Sequence, residues 1–69
     1  MNVLDAILRI AVCWKRSTDE NINMNDIIAV SVDKFGDISF CMRGDVGYRI
    51  CQDSCFVEKF NLWKGWERI

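Results

Sequence analysis

Asp33 and Asp37 stand four residues apart around Gly36 in the stretch VDKFGDISF. Two carboxylates at that spacing can share acid–base work. The same residue type is favoured at turns, where its side chain accepts hydrogen bonds from nearby backbone N–H groups. The chain has no histidine. The Ser-His and Cys-His nucleophile pairs and the commonest general base are therefore missing. No other catalytic constellation is legible, so the expectation is a protein that is not an enzyme and has no catalytic residue.

The four cysteines are Cys13, Cys41, Cys51 and Cys55. A four-thiolate zinc site is chemically allowed, but its usual signature is two close pairs. Only Cys51 and Cys55 are close, with three residues between them. No metal ligand and no cofactor is assigned. The thiols read as small buried or half-buried side chains. Disulfides are not expected, because no secretory signal is legible and reducing compartments keep thiols reduced. Arg43–Gly44–Asp45 has the form of an adhesion tripeptide and reads more simply as a turn between strands. The stretch GDVG lacks the Gly-Lys pair and the following helix of a phosphate loop.

These residues must be held by a small frame. A chain of 69 residues is expected to form one domain, 1–69. A core of this size removes roughly 60% of the unfolded chain's surface from water and leaves little stability to spare. Hydrophobic residues make up 51%, too many for a disordered segment. No apolar run approaches the ~18 residues needed to cross a bilayer, and an intracellular, cytoplasmic protein is expected. The net charge of −1 argues against a simple nucleic-acid binder, which carries a basic stripe. The acids are concentrated. Asp19, Glu20, Asp26, Asp33 and Asp37 face only Lys34 between residues 19 and 37, a local net of −4.

Leu4, Ile7, Leu8, Ala11 and Trp14 follow the i, i+3, i+4, i+7 spacing of one helical face. Asn2 can cap that helix, Asp5 suits its first turn, and Lys15 and Arg16 suit its last. A helix is predicted over about 3 to 16. STDENINMND reads as a loop. IIAVSV, ISFCMR and GYRICQ read as strands over about 27–32, 38–43 and 47–52. A register pairing Val32 with Ile38, Val30 with Phe40 and Ile28 with Met42, then Met42 with Tyr48 and Phe40 with Ile50, puts all the large apolar side chains on one face. Cys41 and Cys51 then lie about one diagonal apart on the other face. Phe56, Val57, Phe60 and Trp63 make an apolar stripe for a second helix over about 54 to 64, which Asp53 or Ser54 can cap and Gly65 can stop. The expected fold is α+β: a three-stranded antiparallel meander with an N-terminal and a C-terminal helix on one face, in the order α-β-β-β-α.

That order, with particular residues, resembles a family of small phage-encoded anti-CRISPR proteins, the acidic helix–meander–helix inhibitors of the type II RNA-guided DNA nuclease. MNVLDAILRI is similar to that family's first helix through Met1, Asn2, Asp5, Ile7 and Ile10. VEKF, Val57 to Phe60, and KGW, Lys64 to Trp66, carry the likeness near the C-terminus, and the hairpin carries it mid-chain. The resemblance implies a protein that binds the CRISPR effector nuclease with its guide RNA. It would block DNA recognition or cleavage by occlusion. Its acidic side chains would stand in for DNA phosphates against the arginines that read the duplex. Gly36 and Asp37 carry over by position. Phe35 stands where that family has an acidic residue, and the acidic segment that follows Trp66 in that family is missing here. Asp33 and Phe35 join the expected contact surface by their exposure at a loop. Asp19, Glu20 and Asp26 join it as the rest of the acidic stretch, and Trp66 joins it as a residue beyond the helical stripe. Neither direct nucleic-acid contact nor a membrane is expected, and the protein is expected to be a monomer or weak dimer. The alternative is a small structural or zinc-binding accessory module without enzymatic activity.

Overall fold

A computed structural model describes residues 1–44 and 46–69. Asp45 lies outside the described residues, and with it the tripeptide turn expected at 43–45. One helix, α1 (Val3–Thr18), is followed by a short 3₁₀ turn (Met24–Asp26). Five strands come next: β1 (Ile27–Val32), β2 (Ile38–Met42), β3 (Val46–Ile50), β4 (Glu58–Asn61) and β5 (Gly65–Arg68). They form one antiparallel sheet in chain order.

α1 begins where its cap dictates. The Asn2 side chain accepts a hydrogen bond from the Asp5 N–H at 2.8 Å, satisfying one of the free donors of the first turn. The helix ends on Asp19, which takes a left-handed conformation (φ 60°) and donates its N–H to the Lys15 carbonyl. The helix faces the sheet with Ala6, Ile10 and Cys13, not with Leu4 and Leu8, which are exposed. The predicted face is thus turned by roughly one residue, about 100°. Apolar residues lie nearly all round this helix, so their spacing selects no unique face. Small Ala6 and Cys13 allow close approach to the sheet.

The first hairpin keeps the expected pairs Val32–Ile38 and Val30–Phe40. Near its open end a bulge inserts one residue, so Met42 pairs with Ile27 and not Ile28. Ile27 therefore packs against the core and Ile28 is exposed. The second hairpin is shorter than expected. Phe40 pairs with Tyr48 and Ile38 with Ile50. That is a slip of two residues along β3, and because side chains alternate with period two, no face changes. Ile38, Phe40, Met42 and Ile50 still point at α1 and form the core with Ile10 and Val57. Trp14 of α1 joins it edge-on against Tyr48, centroids 5.1 Å apart, while Phe40 and Tyr48 stack at 5.2 Å.

The larger correction is at the C-terminus. Residues 54–64 do not form a helix. They supply β4 and the turn into β5, so among the described residues the sheet has five strands and no second helix covers it. Asn61 closes the turn, its side-chain oxygen accepting from the N–H groups of Trp63 (2.8 Å) and Lys64 (3.1 Å). Gly65 supplies the positive φ of 76° that the turn needs. A helix stop and a hairpin turn both ask for glycine there, so the local signal suits either. Alternation then places Glu58, Phe60, Trp66 and Arg68 on the sheet face away from α1, through the pairs Glu58–Arg68 and Phe60–Trp66.

Candidate functional site

The β1–β2 tip gathers four of the eight expected site residues, Asp33, Phe35, Gly36 and Asp37. Asp33 Oδ1 accepts from the N–H groups of Phe35 (2.9 Å) and Asp37 (3.0 Å). Gly36 holds φ 86° and donates to the Asp33 carbonyl. Asp37 Oδ1 accepts from the Gln52 N–H at 2.7 Å. One oxygen of each carboxylate is thus committed to backbone: Asp33 shapes the turn, and Asp37 ties it to the β3–β4 connection. Phe35 projects outward, 63% exposed, with the Lys34 ammonium 5.2 Å from its ring centroid. The tip is a hydrogen-bonded mixed finger, not a pair of free carboxylates.

The other acids do not join it. Asp26 stands at the opposite end of β1, about 20 Å along the strand, where it pairs with Arg43 at 3.4 Å. Asp19 caps the C-terminal end of α1 and pairs with Lys15 at 3.5 Å, with Glu20 exposed beside it. The acidic third of the sequence is therefore spread over separate elements and presents no continuous acidic surface. Trp66 is half-buried on the outer sheet face. It lies between Phe60, centroids 5.3 Å apart, and the Arg49 guanidinium, 4.5 Å from its ring. Arg49 also pairs with Glu58 across β3 and β4 at 2.9 Å. Trp66 thus serves as one member of an outer-face cluster.

The cysteines are dispersed too. Cys13 is buried under α1, and Cys55 is exposed on the β3–β4 connection. With Cys41 paired to Gly47, Cys51 lies four residues further along, about 13 Å away and not one diagonal. Among the described residues no group of three metal-ligating side chains comes together. Burial pushes the Cys13 thiol above its ordinary pKa, against the pull of Arg9. Burial also raises Cys51; Arg49 opposes the shift and Glu58 adds to it. Neither thiol is activated as a nucleophile, since the thiolate is the reactive form.

Two features went unread in the sequence. The first is Arg9. Its Nη2 donates to the carbonyls of Cys51 (2.6 Å), Gln52 (2.7 Å) and Ser54 (2.9 Å), and its Nη1 to that of Gly36 (3.4 Å). Ser17, two turns on, accepts from the Val57 N–H at 2.9 Å. α1 thereby clamps the β3–β4 connection and the hairpin tip together. Only a charged residue inside an apolar run hinted at this. The second is the β4–β5 turn, where Leu62 and Trp63 are 85% and 93% exposed. In a helical reading Trp63 belongs to the stripe and points inward, so the exposure was hidden by the wrong period.

No helix among the described residues is long and apolar enough to cross a membrane. No family model matches the chain, no curated protein matches it, and no solved structure matches its fold.

Proposed function

We propose that the protein is a non-enzymatic interaction module that works by covering a surface of a protein partner. The observation that carries this reading is the β4–β5 turn. Asn61 holds Leu62 and Trp63 in a fixed turn, almost wholly in solvent. Large apolar side chains there do nothing for the core, and tryptophan is the residue type most enriched at binding hot spots. Phe35 on the β1–β2 tip, at the opposite end of the sheet, offers a second and separate apolar contact.

The partner class we propose is a CRISPR effector nuclease carrying its guide RNA, blocked by occlusion. Support for it comes from the residues of MNVLDAILRI and from the hairpin around Gly36 and Asp37. The VEKF and KGW segments lend less, since here they belong to β4, its turn and β5. Contact through Phe35, Leu62 and Trp63 fits this molecule better than phosphate mimicry, because the acids are scattered and Asp33 and Asp37 are tied to backbone. A cleavage assay with purified effector complexes of several types tests the partner. Inhibition is expected for at least one, and Trp63→Ala and Phe35→Ala should each weaken it by roughly tenfold or more. If no effector is bound or inhibited, that partner is wrong. Inhibition that ignores both variants removes the proposed contact surface.

A further inference from the structure

β1 is an edge strand: β2 pairs with one side of it, and among the described residues no strand pairs with the other. The register says which backbone groups face out. Asp33 donates its N–H to the Asp37 carbonyl, and antiparallel pairs alternate between exchanging hydrogen bonds and not doing so. Ser31–Ser39 and Ala29–Cys41 are therefore the pairs that exchange bonds with β2. Val30 and Val32 turn both N–H and C=O away from it. An apolar groove runs beside this edge and the start of α1, walled by Val3, Ile7, Met24, Ile27 and Ile28. Val3, Met24 and Ile28 are exposed there. Sheet edges are ordinarily blunted by charge. The other edge strand, β5, carries Glu67 and Arg68, whereas β1, IIAVSV, carries no charge.

We infer that β1 takes up an extended peptide segment of a protein partner as a sixth strand, with an apolar side chain of that segment seated in the groove against Val3, Ile7 and Met24. The free backbone groups select the occupant. A helix pairs its own N–H and C=O groups internally and a lipid tail has none, so either would cover Val30 and Val32 and leave their polar groups unpaired. An extended chain pairs them, and every second side chain of it points to the α1 side of the sheet, into the groove. The segment recognised is therefore uncharged over about five residues, with apolar side chains at alternate positions. A second copy's β1 fits less well. Its Val30 and Val32 side chains already pack on its own core. Two-fold pairing about Val30 also sets the bulge between Ile27 and Ala29 of each copy against Val32 of the other, and bulges interrupt pairing. The inference does not rest on the effector as partner.

Amide hydrogen exchange of the full chain, read residue by residue by NMR, tests this. The probe is a synthetic peptide of three valines alternating with threonines, with a lysine at each end. In the free protein the Ser31 amide should exchange slowly and the Val30 and Val32 amides fast. Peptide at about 0.5 mM should slow Val30 and Val32 by roughly tenfold, as for a Kd near 50 µM. Two further peptides carry N-methyl groups on the valines or on the threonines. One set of N–H groups faces β1 and the other faces away, so one peptide should lose binding and the other keep it. Val3→Glu and Met24→Lys, both on the groove wall, should each weaken binding by roughly tenfold with the circular dichroism signal unchanged. Trp63→Ala should leave it as it is. The N-methylated pair keeps the test open if a wall variant fails to fold. The inference is overturned by Val30 and Val32 amides unprotected at about 5 mM peptide, or by equal effects of the two N-methylated peptides. It is also overturned by protection that grows with protein concentration without peptide, which is pairing with a second copy, or by binding that survives Val3→Glu and is lost in Trp63→Ala. Failure of the effector assay leaves each of these outcomes open, and none of them decides that assay.

Discussion

Without the Arg9 guanidinium, the carbonyls of Cys51, Gln52 and Ser54 lose a shared donor. Partly buried acceptors left unpaired are costly, and charge-assisted bonds are the stronger kind. Arg9→Ala should therefore destabilise the protein by about 2–4 kcal/mol in denaturant titration. Arg9→Lys should recover only part, because the shorter lysine stem must bring its one nitrogen to the place of Nη2 and leaves none for the Gly36 carbonyl that Nη1 reaches. The cysteines differ by burial in the same way. Cys55 is exposed and Cys13 is 3% exposed. In the native protein a thiol reagent should modify Cys55 first, and Cys13 only at the rate of unfolding. Burial also raises Cys13, Cys51 and Tyr48 above their ordinary pKa values. The fold thus favours the neutral forms. That stability is full below the unfolded-state values and is lost as pH rises past them toward the raised folded values. The thermal midpoint should fall between about pH 8 and pH 10.5, and less steeply in Cys13→Ala with Cys51→Ala. A midpoint flat through that window would contradict the assignment.

Two turns invite opposite outcomes. At the β1–β2 tip the carboxylates are structural. Asp37→Ala removes the bond from Gln52 and should cost about 1–2 kcal/mol. Gly36→Ala must hold a Cβ at φ 86°, 3.4 Å from Gln52 Cγ, and should cost about 1 kcal/mol or more. Charge reversal at Asp33 or Asp37 therefore tests folding as well as binding, and Phe35→Ala is the cleaner probe of contact. At the β4–β5 turn, Trp63→Ala should leave stability within about 0.5 kcal/mol while binding falls. Asn61→Ala should cost about 1 kcal/mol by freeing two N–H groups. Equal stability losses in Trp63→Ala and Asn61→Ala would mean that Trp63 packs inward.

A small core makes the whole molecule sensitive. Ile10, Ile38, Ile50 and Val57 are its fully buried large side chains. Ile10→Ala should cost about 2–4 kcal/mol, a large share of the ~5 kcal/mol typical of so short a chain, and should show as a melting transition near room temperature. The helix start, the first three strands and the inward set Val30, Val32, Ile38, Phe40, Met42, Tyr48 and Ile50 were legible, because capping and period-two alternation are local physics. The Phe35 finger was legible for the same reason, as an apolar residue at a glycine turn. What determined the rest is contact between distant segments. Residues 54–64 satisfy a helical stripe or a strand about equally well, and pairing of Glu58–Asn61 with both β3 and β5 decides for the strand. α1 is apolar nearly all round, and only the sheet, the Arg9 clamp and Ser17 choose the inward side. Composition and spacing alone thus determined which residues are apolar and where turns fall. The tertiary structure decided which apolar residues face outward, because burial depends on partners that local sequence does not contain.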